Sequence, residues 1–153
     1  MIIPRMFFKK ILPGILIIIT LLLNGGCQKE TFNKDIEGFW QLTDFTTNSD
    51  NVNHKCKRIY YSIQLWVVEV AEKGGELDLV PFRGRYHYDE KNDSLSFTDL
   101  STYDLPEYSR PATKEELQPY GLDNVNSYFK VVEKGNDRMV LKSEYATLFL
   151  KRF

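Results

Sequence analysis

One run of sequence limits the fold more than any other. Across residues 58–71 (Arg-Ile-Tyr-Tyr-Ser-Ile-Gln-Leu-Trp-Val-Val-Glu-Val-Ala), Ile59, Tyr61, Ile63, Leu65 and Val67 recur at period two, with Tyr60, Ser62, Gln64 and Trp66 between them. Side chains alternate across a strand residue by residue, whereas an amphipathic helix needs apolar residues three or four apart. The β-branched and aromatic content points the same way. The run predicts one long strand with its odd-numbered residues turned inward.

The neighbouring segments repeat this pattern. Residues 36–45 read as a strand with Phe39, Gln41, Thr43 and Phe45 on one face and Trp40, Leu42 and Asp44 on the other. A polar loop rich in Asn, Ser and Asp is expected over 46–57. Lys73-Gly74-Gly75-Glu76 suits a tight hairpin turn, because Gly-Gly tolerates positive φ. Residues 77–88 return as a strand bent at Pro81 and Gly84, 89–93 turn, and 94–100 form a short strand. Three further strands are expected at 127–133, 138–144 and 145–153, the first two joined by a hairpin turn at 134–137.

Between the fifth and sixth segments the pattern changes. Residues 101–126 hold three of the six prolines, and Thr113-Lys114-Glu115-Glu116 fits a capping box that starts a short helix at Lys114. Pro119 and Gly121 end it. Tyr103, Leu105, Tyr108, Leu117, Tyr120 and Leu122 give this segment the composition of a packed lid rather than a disordered loop. Seven or eight short strands with regular turn signals indicate an all-β barrel or sandwich.

The N-terminus carries an address. Arg5, Lys9 and Lys10 precede an apolar run over 11–23, which is shorter than the ~20 residues needed to span a bilayer and so predicts a signal segment. Asn24-Gly25-Gly26-Cys27 resembles a lipobox, with Asn24 at the position usually aliphatic. That resemblance implies a signal peptide over 1–26, acylation of Cys27 and anchoring through its lipid, palmitate among the acyl groups expected. Residues 27–35 would then form a polar tether and 36–153 the folded domain. Gln28-Lys29-Glu30 lacks an aspartate directly after the cysteine and is similar to the charged signals that send some lipoproteins to the outer membrane and its outer face.

Removing residues 1–26 takes three of the 20 Lys and Arg and none of the 21 Asp and Glu, leaving a net charge near −4. No basic stripe remains, so nucleic acid is not an expected partner. With Cys27 acylated, Cys56 is the one remaining thiol, no internal disulfide can form, and the fold must rest on its core.

Catalytic candidates are few. His54 and His87 are the only histidines. His54 lies two residues from Cys56, but a nucleophilic pair needs imidazole and sulfur within hydrogen-bond reach, which positions i and i+2 seldom provide. Two soft ligands also fall short of the three or four that zinc takes, so no metal or cofactor is expected. The acids Asp89, Glu90, Asp93, Glu115 and Glu116 sit at a turn and a helix start, where acids serve structure. The aromatic residues (10 Phe, 9 Tyr, 2 Trp) carry more information. Most belong to a β core, but Tyr61, Trp66, Phe82, Tyr86, Tyr103, Tyr108 and Tyr120 are candidates to line a cavity or stacking surface.

Gly38-x-Trp40, at the first strand of the mature domain, resembles the Gly-x-Trp opening of the lipocalin-like barrels. In that family the tryptophan closes one end of a small antiparallel barrel and a basic residue of the last strand packs across its ring. The resemblance implies that role for Gly38, Trp40 and Arg152, with Lys151 as the alternative to Arg152. Thr98-Asp99-Leu100 is similar to a second family motif but lacks its tyrosine.

The fold expected is therefore a single antiparallel lipocalin-like barrel of about eight strands, with one short helix in a long loop. Two functions stay open. One is non-enzymatic binding of a small apolar or amphipathic ligand at the cell envelope. The other is a protein-interaction or accessory role in an envelope complex, with the barrel filled by its own side chains. Bulky residues at inward positions would favour filling.

Overall fold

The computed structural model describes residues 33–102 and 108–153. The predicted signal segment, Cys27, most of the tether, and Tyr103 and Leu105 lie outside the described residues. Eight strands follow one another: β1 (Gly38–Thr47), β2 (Asn53–Gln64), β3 (Val67–Glu72), β4 (Phe82–Asp89), β5 (Ser94–Thr102), β6 (Ser127–Lys134), β7 (Arg138–Lys142) and β8 (Ala146–Arg152). Each pairs antiparallel with the next and β8 pairs with β1, closing an up-and-down barrel. Closure removes both sheet edges, so each strand has a neighbour on either side.

The run over 58–71 is two strands, not one. The chain reverses at Leu65 and Trp66, both at positive φ (50° and 68°), with Gln64 opposite Val67 across the turn. Two-residue hairpin loops favour this left-handed geometry, normally supplied by Asn-Gly, and neither residue here is a turn former. Ile59, Tyr61 and Ile63 keep the inward face expected, and Val68 and Val70 take it over after the turn. Leu65 and Val67 instead face solvent, because the reversal breaks the period-two count between them.

A second departure lies in β1. The register slips between Leu42 and Asp44 on both sides: against β8, Thr43 is an extra residue in β1, whereas against β2 the surplus lies in β2, where Cys56, Lys57 and Arg58 stand opposite Thr43 alone. Its hydroxyl donates to the Phe149 carbonyl at 3.0 Å. The bulge switches faces, and Phe45 joins Trp40 and Leu42 inside instead of opposing them. Strand β1 also runs on to Thr47 and β2 begins at Asn53, so the polar loop shrinks to residues 48–52.

Lys73-Gly74-Gly75-Glu76 is not a tight turn but opens a longer connection, residues 73–81, between β3 and its antiparallel partner β4. That connection is held by Glu72, whose carboxylate accepts from the Leu77 amide at 2.9 Å and the Leu79 amide at 3.4 Å. At Gly84 the bend is real: a Cβ there would stand 2.4 Å from the Thr98 carbonyl oxygen. The register between β4 and β5 shifts at this point.

Inside, the barrel is packed with bulk. Trp40, Tyr61, Phe82, Phe97, Leu95, Ile63 and Leu42 are fully buried, and they join Met139, Leu141, Leu148 and Leu150 in one continuous core. The segment before β6 completes it. Helix α1 (Lys114–Leu117) leads into a 3-10 turn at Gln118–Tyr120, and Leu117, Tyr120 and Leu122 insert into the core from the mouth.

Candidate functional site

The two ends of the barrel differ in construction. At one end the chain enters through a turn in which the amides of Ile36 and Glu37 both donate to the Asn33 carbonyl. Trp40 is completely buried there, its indole N–H donating to the Ile36 carbonyl at 2.8 Å. Arg152 lies opposite Trp40 in the β1–β8 register, with its guanidinium 4.3 Å from the indole centroid. A guanidinium over an indole face is attracted by the ring's negative quadrupole. Its Nη1 donates to the Glu37 carbonyl at 3.1 Å and its Nη2 to the Lys34 carbonyl at 3.3 Å, while Nε is buried without a hydrogen-bond partner. Lys151 is exposed and stands beside Gln41. Gly38 is needed for space, since a Cβ would meet Arg152 Nη1 at 2.7 Å.

At the other end, the mouth, the segment around α1 forms a lid. Thr113 and Glu116 make both halves of the capping box: the Thr113 hydroxyl accepts from the Glu116 amide, and the Glu116 carboxylate accepts from the Thr113 amide at 2.9 Å. Arg110 grips the same carboxylate with two N–H groups, at 2.6 and 2.9 Å. These hydrogen bonds, Arg110 foremost, hold the Glu116 carboxyl down at about 2. The later half of β5 leaves β6 and pairs instead with the chain leading into the lid: the Thr102 amide donates to the Arg110 carbonyl and the Ala112 amide to the Leu100 carbonyl, both at 2.9 Å. Tyr61 crosses the interior and its hydroxyl donates to the Tyr120 carbonyl, while the Tyr120 hydroxyl reaches the Val80 carbonyl at 2.9 Å. Gly121 sits at φ 76°, and a Cβ there would be 2.5 Å from Leu148 Cδ2 and 3.1 Å from Phe45 Cγ.

Beside the lid opens a cleft of about 630 Å³. Its apolar lining is Phe45, Ile59, Leu77, Pro119 and Tyr145, and its polar lining includes Asp50, His54, Lys57 and Glu115. His54 stacks on Phe45 with ring centroids 4.6 Å apart. Cys56 donates to the His54 backbone carbonyl, and burial, with a smaller contribution from Asp44, pushes its thiol up to about 11. A thiol so placed stays protonated at neutral pH and is a poor nucleophile. Among the described residues no group of three or more His, Cys, Asp and Glu could hold a metal ion.

The seven aromatic residues singled out from the sequence are not gathered into one cavity. Tyr61, Phe82 and Tyr120 meet in the core under the lid, Phe82 and Tyr120 edge to face at 6.2 Å. Tyr86 and Trp66 stack at 6.2 Å near the closed end. There the Tyr86 hydroxyl donates to the buried Glu37 carboxylate, and burial together with that contact raises the phenol to about 12. Tyr108 is 69% exposed and Tyr103 lies outside the described residues. The cleft residues Phe45, His54, Lys57, Leu77, Pro119 and Tyr145 were not anticipated. Reading 46–57 as loop hid the place of His54 and Lys57, whose grouping with Phe45 depends on the β1 bulge and on β2 starting as early as Asn53.

An eight-stranded closed meander, sealed at one end and lidded at the other, defines a small up-and-down barrel of the ligand-binding type. The lipocalin-like domain model matches residues 20–153, and the chain belongs to that family. A lipocalin-like protein from Bacteroides uniformis ATCC 8492 is similar in structure, with a TM-score of 0.58 and 22% identity over 78% of this chain and 99% of its own. An uncharacterized protein from Bacteroides eggerthii DSM 20697 matches with the same TM-score and 23% identity, over 78% of this chain and all of its own. No curated protein matches the chain.

Proposed function

We propose that this chain is a non-enzymatic binding protein of the cell envelope. It is anchored by lipid on Cys27 in the outer membrane, with the domain facing outward, and takes a small amphipathic molecule at the lidded mouth of its barrel. The observation that carries this reading is the cleft between the lid and the start of β2, whose wall mixes the apolar Phe45, Leu77, Pro119 and Tyr145 with the polar His54, Lys57 and Asp50. Its volume falls within the ~300–1,000 Å³ of small-molecule sites, and its mixed lining suits a ligand with an apolar body and a polar head. Because the inward positions are filled by Trp40, Tyr61, Phe82 and Phe97, the seat is the mouth rather than the barrel axis.

The test uses 1-anilinonaphthalene-8-sulfonate, an amphipathic fluorophore, titrated into the wild type and Leu77→Asp. Leu77 is exposed, so the substitution leaves the core intact. The reading expects saturable enhancement with the wild type, weakened about tenfold by placing a charge in the apolar lining. Equal titrations would place the probe elsewhere and remove the mouth as its seat. For the anchor, Cys27→Ser should move the protein from the membrane to the soluble fraction and abolish labelling by a palmitate analogue.

The packed interior favours a second reading, an interaction module of an envelope complex whose barrel is only a scaffold. Native mass spectrometry after exposure to envelope extract separates the two. A mass increase of a few hundred daltons that disappears on unfolding supports the small ligand; co-isolation of a defined protein with a bare barrel supports the module.

A further inference from the structure

The closed end carries apolar surface that neither the core nor the mouth explains. At the tip of the β2–β3 hairpin Leu65 is 54% exposed, Trp66 50% and Val67 36%. Leu65 and Trp66 hold left-handed backbone there, a conformation in which a side chain is strained and which Gly or Asn occupies readily. The tip is nevertheless held firmly: the Trp66 carbonyl accepts from the Tyr86 amide at 3.0 Å and the indole stacks on the Tyr86 ring. On the adjoining outer wall Phe39 and Tyr60 stack at 5.0 Å, and Phe153, 77% exposed, sets its edge against both. Arg85, exposed, is the cross-strand neighbour of Val67.

This rim surrounds the point where the chain enters the barrel. Tyr86 ties the tip to Glu37, and Arg152 ties the last strand to Lys34. Asn33 is only six residue steps from Cys27, a reach of roughly 20 Å even when fully extended. A lipid on Cys27 therefore holds the closed end, and not the mouth, next to the bilayer. We infer that the closed end is a membrane-docking rim, in which Leu65, Trp66 and Val67 enter the headgroup–acyl boundary and Phe39, Tyr60 and Phe153 lie against it. Tryptophan and tyrosine favour that zone because their rings join apolar area to a polar edge. Docked this way, the barrel stands upright on the membrane with its mouth turned to the aqueous side. The inference rests on the Cys27 anchor proposed above.

The experiment uses the full chain, produced in a host that processes lipoproteins and reconstituted into phosphatidylethanolamine–phosphatidylglycerol vesicles with or without bromine on the acyl chains. Trp40 is completely buried, so Trp66 is the tryptophan that contacting bromines can quench. Flotation of the vesicles reports the anchor and bromine quenching reports the tip. The expected result is co-flotation with emission lowered on the order of twofold by bromines, at the ~5–10 Å depth of an interfacial segment. Trp66→Phe should remove that quenching, and Leu65→Asp, which keeps the reporter, should reduce it. Co-flotation with no bromine quenching, and with Trp66 fully open to aqueous acrylamide, would overturn the rim and leave the anchor standing. Failure to float would overturn the anchor and the rim with it.

Discussion

At its closed end the barrel is sealed by residues 112 positions apart in sequence, Trp40 and Arg152, whereas the mouth is sealed by one contiguous stretch, residues 113–122. The closed end is a joint between the first strand and the last and exists only when the whole barrel has formed. The mouth is closed by a plug with its own capping box, its own ion pair and a short ladder to β5. A plug of this kind can lift without unpairing any strand from its neighbour around the barrel, while the Trp40 joint cannot open without separating β1 from β8. Recognition that requires movement belongs at the mouth, and attachment belongs at the rigid end.

The sharpest way to break that contrast is Trp40→Ala. Removing a fully buried aromatic should lower the unfolding free energy by about 3–5 kcal/mol. Arg152→Ala should lower it less, about 1–2 kcal/mol, because what goes is a cation–π contact and two hydrogen bonds to carbonyls. Denaturant unfolding of both variants measures the difference. An unchanged midpoint for Trp40→Ala would mean that the closed end is not a joint at all.

Gly121→Ala applies the same question to the mouth. The new methyl would sit at φ 76° and press on Leu148 Cδ2 and Phe45, an expected loss of about 1–3 kcal/mol. The contrast predicts that the loss is local. Amide exchange should quicken at Leu117 and Leu122, while β1 and β8 keep their protection. Uniform quickening throughout the barrel would show that lid and barrel open together.

Much of this architecture is legible in the amino-acid sequence. The inward faces of β2 and β8 follow from period-two alternation, and the capping box at Thr113 to Glu116 follows from local chemistry alone. Illegible are the two places where the backbone breaks the count. The Thr43 bulge is set by the register of β1 against β8, and Thr43 carries no local signal for it. The reversal at Leu65-Trp66 is imposed by pairing between β2 and β3 on two residues whose own preferences oppose it. The cleft is hidden for the same reason, since Phe45 and His54 become neighbours only once the bulge and the early start of β2 are in place. Burial of Tyr61, Phe82 and Tyr120 also looks in sequence just like the lining of a cup, because an apolar cavity wall and a filled core share one composition.

The hairpin tip permits a test with the opposite sign. Replacing Leu65-Trp66 by Asn-Gly supplies residues that accept left-handed backbone, at the loss of the Trp66–Tyr86 stack. Relief of ~1–2 kcal/mol per residue should outweigh a stack of ~0.5–1.5 kcal/mol, so the double variant should be more stable by ~0.5–3.5 kcal/mol. A rise in the thermal midpoint would mean that the native pair is kept for something other than folding. A fall would show that the tip is a structural element like the Trp40 joint beside it.

The smallest effect separates the plug from the barrel by pH. The Glu116 carboxyl lies at about 2 in the folded protein against an ordinary 4.5, because Arg110 and the Thr113 amide favour its charged form. A carboxyl depressed on folding adds stability that is complete above its ordinary value and lost as pH falls through 4.5 toward 2. The group is partly exposed, so solvent and salt screen much of the pairing. Glu116→Gln should lower the thermal midpoint at pH 7 by only ~1–4 °C. The gap should narrow below pH 4.5 and close near pH 2, and it should shrink with added salt at neutral pH. A gap that stayed constant from pH 7 to about 2 would assign the effect to the shape of the side chain instead. The lid would then be held by Leu117, Tyr120 and Leu122 alone, and its ion pair would add nothing to a plug that hydrophobic packing already keeps in place.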